Sequence, residues 1–293
     1  MDFMKLSILF FMMIGTIYIF YFNDDIDYNK IYNQIENYKK THIIKNNIKK
    51  GGILMSKERP VILGHRGYRA KFPENTILAY KKAIEFGADG VELDVQLSKD
   101  GALIIHHDDN FKKITGNTMK INDLTSKEIK KIKINGESIP TLEEVFIKLP
   151  EYAYINVEIK DVKATEMAYN TVKSFNALDR VLFSSFNIEA LRILRKLDEN
   201  VDLGLLIEKK EMIEKIIPLH EELNFYSINL PVEGIEMLGL EKYKTLISKL
   251  MEIGLHIVLW TLNDIETLKK LEGYFDGIIT DNVETIVNYY INN

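Results

Sequence analysis

Val61-Ile62-Leu63-Gly64-His65-Arg66-Gly67 is a short apolar run that ends in a charged, glycine-punctuated turn. The same form recurs downstream. Gly90-Val91-Glu92-Leu93-Asp94-Val95-Gln96-Leu97 reads as a strand carrying two carboxylates, and Ala102-Leu103-Ile104-Ile105 delivers His106-His107-Asp108. Polar groups at the ends of short apolar strands are costly to desolvate unless they serve a metal or a reaction. Three such groups between His65 and Asp108 therefore point to a site rather than to scattered structural residues.

Outward from this stretch, strand and helix signals alternate. Strand-like runs fall at 61–64, 90–97, 155–160, 181–185, 203–207, 226–230, 256–260 and 277–280. Helix-like runs follow them, with apolar residues at helical spacing over 75–86, 164–175, 188–197, 242–253 and 265–274. The implied fold class is α/β, a parallel (β/α)8 TIM barrel with a helical outer ring. The run 102–108 is an extra strand in a short hairpin-containing insertion after the second strand. That insertion continues to Pro140 with Asn122 as a helix cap near Leu124, and it ends at the helix 142–149. His65, Glu92, Asp94, Glu158 and Trp260 all fall at or near the C-terminal ends of barrel strands, where such barrels carry their sites.

The hairpin register makes a further choice. Asp100-Gly101 suits a two-residue type I′ turn. Lys99 then faces Ala102, Gln96 faces Ile105 and Asp94 faces His107, so Glu92, Asp94 and His107 share one face. His106 turns to the other face, and a one-residue slip would reverse the choice.

These motifs resemble the glycerophosphodiester phosphodiesterase family. The resemblance rests on His65-Arg66-Gly67, Pro73-Glu74-Asn75-Thr76, the run from Gly87 to Gln96, Lys99-Asp100-Gly101 and His107-Asp108. It continues through Asn156-Val157-Glu158-Ile159-Lys160, Ser185-Phe186-Asn187, Trp260-Thr261-Leu262-Asn263 and 276–281, and so covers Val61 to the C-terminus. It implies hydrolysis of a glycerophosphodiester to glycerol 3-phosphate and an alcohol. It also implies that Glu92, Asp94 and Glu158 bind a metal and that His65 and His107 are the catalytic pair.

The residues themselves support parts of this. Three oxygen donors suit one hard divalent cation, Mg²⁺ or Ca²⁺; the plainer alternative pairs them with Arg66 and Lys160. Histidine titrates near neutral pH and transfers protons in either direction. His106 and His256 read as structural, and His42 and His220 as solvated. Arg66 and Lys160 are candidates for phosphate contact or for barrel ion pairs. Trp260, the only tryptophan, is either core or an apolar wall under a glycerol or head group. Glu74 and Asn75 read as the cap of the first helix, and 208–211 as a solvated face. No phosphate loop, dinucleotide fingerprint or G-x-S-x-G elbow occurs. The rivals are a lysophospholipase D-like or other phospholipid head-group phosphodiesterase and, outside enzymes, an inactive tethered binding module.

A chain of 293 residues, 46% hydrophobic, can build one large core, and a net charge of −5 argues against nucleic acid. The absence of cysteine excludes disulfides and thiolate metal sites. No obligate protein partner is evident. Leu6–Phe22 is an apolar run at the lower limit for a membrane-spanning helix, with no A-x-A-like cleavage site after it. It reads as a single-pass N-terminal anchor over 1–22, followed by a partly helical, mostly solvated linker over 23–58 and the barrel domain over 59–293. Lys5 and the N-terminal amine before the run, with the next lysine after it only at Lys30, favour a cytoplasmic N-terminus and an extracytoplasmic barrel. Translation from Met55 would instead give a cytoplasmic protein.

Overall fold

The computed structural model describes residues 26–42, 59–116 and 118–292. Leu6–Phe22 and Met55 lie outside them. Among the described residues no helix is long and apolar enough to cross a membrane.

Eight parallel strands close into a barrel. They are β1 (Val61–Gly64), β2 (Gly90–Leu97), β4 (Tyr154–Ile159), β5 (Val181–Ser185), β6 (Leu203–Leu206), β7 (Ser227–Pro231), β8 (His256–Trp260) and β9 (Gly277–Thr280). β1 pairs with both β9 and β2, which closes the ring. The strand β3 (Leu103–Ile105) lies antiparallel on β2 outside that ring. Gly90 starts β2 because a Cβ there would stand 2.0 Å from the Tyr154 carbonyl oxygen.

Period-two alternation decides what each strand shows to each side. Val91, Leu93 and Val95 join the main core under the helices, while Val61, Leu63, Leu182, Val258 and Ile279 pack together as a separate cluster with Trp260 against it. The outer ring is α2 (Ile77–Glu85), α3 (Leu142–Lys148), α4 (Thr165–Ser174), α5 (Ile188–Leu197), α6 (Ile216–Leu223), α7 (Leu240–Met251), α8 (Ile265–Leu271) and α9 (Val283–Ile291). Thr76 caps α2, its side chain accepting from the Ala79 amide, so Glu74 and Asn75 are released from the capping role expected of them. In the insertion, Thr125 forms a capping box with Glu128 over Ser126–Ile129, and Asn122 lies inside a short 3₁₀ turn.

Within the stretch expected to be a linker, Tyr28–Thr41 forms α1. It is not merely solvated: Ile31 and Ile35 are buried in the main core. His220 on α6 is correspondingly buried and meets the Tyr38 ring of α1 at 5.4 Å, so it is a packing residue rather than a solvated one.

Candidate active site

Parallel register places Glu92 beside Asn156 and Asp94 beside Glu158. The ligand atoms of Glu92, Asp94 and Glu158 all lie within 4.8 Å of one another. Burial and the Asp94 charge push the Glu158 carboxyl up to about 7. Burial, Asp94 and Glu158 raise Glu92 well above its usual range. Burial would raise Asp94 as well, but Arg66 and Lys160 pull it below the carboxylate range. Asp94 Oδ1 is buried without a hydrogen-bond partner. Three close oxygen donors, one of them unsatisfied, fit a hard divalent cation.

The His65 amide continues the β1 ladder by donating to the Thr280 carbonyl. Its Nδ1 lies 2.7 Å from Asp281 Oδ1, and its Nε2 lies 4.0 Å from Glu92 Oε2. Asp281 is itself held by Asn263, whose Nδ2 donates at 3.1 Å. Arg66 adopts φ +53, a left-handed conformation that costs a side-chain-bearing residue about 1–2 kcal/mol. That turn aims its amide at Glu92 Oε2, 2.9 Å away, and its Nη1 at Glu74 Oε1, also 2.9 Å. Lys160 Nζ is 3.0 Å from Glu158 and 3.7 Å from Asp94. Arg66 and Lys160 thus stand in ion pairs with the carboxylates at the rim.

The hairpin corrects the expected register. Lys99, Asp100 and Gly101 form a three-residue loop between paired Ser98 and Ala102, with Gly101 at φ +83. The Asp100 carboxylate accepts from Ser98 and Ser126, which draws it into the loop instead of a two-residue turn. Val95 therefore faces Ile105, and the His106 amide donates to the Asp94 carbonyl. Alternation alone would then bring His106 to the carboxylate face. It does not apply, because β3 stops at Ile105. Gln96 Nε2 donates to the carbonyls of His106, His107 and Asp108 and pins the chain as it leaves the strand. His106 is buried against Phe111, at 4.7 Å between rings. His107 stays half-exposed with Nδ1 2.8 Å from Asp108 Oδ1. Burial lowers it to about 4 against the opposing pull of Asp94.

Sequence reading missed several of these partners. Asn75 is fully buried, donates to Asp94 Oδ2 at 2.8 Å and accepts from Tyr80. Asp281 and Asn263 stand in motifs that carry the family resemblance, yet nothing local says that they reach His65. Trp260 donates through Nε1 to the Asn229 carbonyl and meets Phe186 edge-on at 5.7 Å. His256 sits 3.4 Å from Asp276, away from the cluster, in line with its structural reading.

A closed (β/α)8 barrel whose strand ends gather three carboxylates, two histidines and two cations defines a barrel hydrolase with an oxygen-donor site. The family model of the glycerophosphoryl diester phosphodiesterase family matches residues 65–285. A glycerophosphodiester phosphodiesterase of Caldanaerobacter subterraneus subsp. tengcongensis is 34% identical over 249 residues, 78% of this chain and 97% of its own. The crystal structure of the glycerophosphodiester phosphodiesterase of Thermotoga maritima matches with a TM-score of 0.71 at 37% identity, over 80% of this chain and all of that one. A phosphodiesterase of Oleispira antarctica, solved with the product sn-glycerol-3-phosphate, matches in fold with a TM-score of 0.67 at 24% identity, over 80% of this chain and 97% of its own. The chain belongs to the glycerophosphoryl diester phosphodiesterase family, and with it to the phosphoric diester hydrolases.

Proposed function

We propose that this protein hydrolyses glycerophosphodiesters to glycerol 3-phosphate and an alcohol, with His65 and His107 as the general acid–base pair. The observation that carries the reading is the convergence of Glu92, Asp94 and Glu158 within 4.8 Å at the rim that also bears His65 and His107. A divalent cation, Mg²⁺ or Ca²⁺, held by those three carboxylates would supply charge neutralisation at the phosphoryl oxygens. Arg66 and Lys160 bind the remaining phosphate charge. Each histidine has its Nδ1 engaged by an aspartate, Asp281 or Asp108, which leaves Nε2 to move a proton. One histidine takes the proton of the attacking oxygen, and the other protonates the leaving alcohol oxygen. Trp260 and Phe186 line the uncharged side for the glycerol or head group. Early appearance of a cyclic glycerol phosphate would separate attack by the substrate's own hydroxyl from attack by water.

The competing substrate class is lysophospholipids. A panel of glycerophosphodiesters and lysophospholipids, scored for glycerol 3-phosphate from the former and acylglycerol 3-phosphate from the latter, tests the reading; no phosphodiester cleavage in any member would refute it. The apolar run Leu6–Phe22 supports a single-pass anchor, and the positive charge of Lys5 before it supports a barrel outside the cell. Protease added to intact cells digests the barrel in that orientation, whereas a protected, membrane-bound barrel reverses it.

A further inference from the structure

α1 lies outside the residues matched by the family model, and its direction along the barrel is informative. It runs parallel to α7. Lys242 Nζ stands 5.1 Å from the Tyr28 ring, Lys249 Nζ stands 5.2 Å from the Tyr32 ring, and Lys39 pairs with Glu252. In a βα unit the helix begins at the C-terminal ends of the strands and returns to their N-terminal ends. α7 follows β7 by way of the short helix Gly234–Leu238, and it runs into β8 at His256. The Tyr28 end of α1 is therefore level with the barrel mouth. A second contact agrees: Lys30 pairs with Glu214, in the 3₁₀ segment Lys210–Lys215 that follows β6 at the mouth end.

The chain is already seated at Ile26, which is 9% exposed and part of the main core. Only Asn23, Asp24 and Asp25 separate it from the apolar run that ends at Phe22. Four Cα steps reach about 14 Å at most. The 12 residues of α7 put the opposite end of the barrel about 18 Å farther away.

We infer that α1 is a strut that turns the catalytic mouth toward the bilayer taking up Leu6–Phe22. That orientation brings within reach glycerophosphodiesters lodged in the bilayer, that is lysophospholipids, in addition to free ones in solution. This rests on the phosphodiesterase and anchor readings above. Because the chain has no cysteine, a single introduced thiol takes a fluorophore uniquely. Lys163→Cys and Tyr152→Cys flank β4 at the mouth end and the opposite end, and both positions are exposed. In full-length protein reconstituted in phosphatidylcholine vesicles with head-group nitroxide quencher, the label at 163 is expected to be quenched several-fold more than that at 152. Equal or reversed quenching, or failure of the protein to float with the vesicles, overturns the inference. A flexible Gly/Ser insert of 30 residues between Asp25 and Ile26, spanning about 30 Å, leaves α1 docked but frees the barrel. Hydrolysis of vesicle-borne lysophosphatidylcholine should then fall about tenfold while that of dissolved glycerophosphocholine is unchanged; an unchanged vesicle rate also overturns it. Absence of turnover on both substrates would refute the phosphodiesterase reading, while the quenching comparison still decides the orientation.

Discussion

The barrel mouth has two unlike halves. On β9, β1, β2 and β4 the strand ends carry Asp281, His65, Arg66, Glu92, Asp94, Glu158 and Lys160; on β5 to β8 they carry Ser185, Leu206, Pro231 and Trp260. Every formal charge of the cluster thus sits on one side. With Glu92, Asp94 and Glu158 outnumbering Arg66 and Lys160, a divalent cation would offset the excess of carboxylates and favour a phosphodiester anion. The other half offers the Phe186–Trp260 edge-on pair. A phosphodiester has the same asymmetry, with a charged centre and a variable alcohol. We therefore expect the charged half to set the rate and the uncharged half to set which alcohol is accepted.

The largest effects should come from the charged half. His65→Ala and His107→Ala are each expected to lower kcat by about a hundredfold to ten-thousandfold, and Glu92→Gln, Asp94→Asn and Glu158→Gln by about a hundredfold or more. His106→Ala should keep turnover within a few-fold and lose thermal stability, because it removes packing against Phe111. A dead His106→Ala with an active His107→Ala would reverse the assignment.

Asp281→Asn should cost roughly tenfold to a hundredfold, since an amide facing His65 Nδ1 favours the wrong tautomer. Cation affinity should also depend on pH. With Glu158 raised to about 7 and Glu92 raised as well, cation binding at lower pH must displace protons, so affinity falls as pH drops through 7. Calorimetric titration at several pH values checks the slope; affinity that strengthens as pH falls would contradict it.

The uncharged half gives the smallest effect. Trp260→Ala and Phe186→Ala should raise KM up to about tenfold for a substrate with a bulky alcohol and leave kcat within a few-fold. A loss of kcat as large as that of the histidine variants would erase the distinction between the halves.

The charged half was the more legible in sequence, because its residues stand beside their own strands' apolar runs. β1, β2, β5, β8 and β9 have the boundaries expected from those runs. What was not legible depends on contacts across the ring. Asp281 reaches His65 over 216 positions, and Asn75 reaches Asp94 from a turn that looked like a cap. The hairpin shows the limit of pattern reading most clearly. Asp-Gly suggested a two-residue turn, but the Asp100 side chain has partners in Ser98 and Ser126 that only the folded insertion supplies. The register is therefore one residue away from expectation. His107 nevertheless stands at the rim, because the strand ends at Ile105 and Gln96 holds the carbonyls of the next three residues. The burial of α1 was equally hidden, since Ile31 and Ile35 are ordinary helix residues until α6 and α7 are placed beside them.

On the proposed function, the three carboxylates at the rim work through a bound divalent cation. Phosphorus NMR of glycerophosphocholine turnover by the full-length protein, before and after exhaustive chelation and on addition of Mg²⁺ or Ca²⁺, tests it most directly. Glycerol 3-phosphate should form, cease on chelation and return with the cation in the native protein but not in Glu158→Gln; undiminished turnover after chelation would contradict the account.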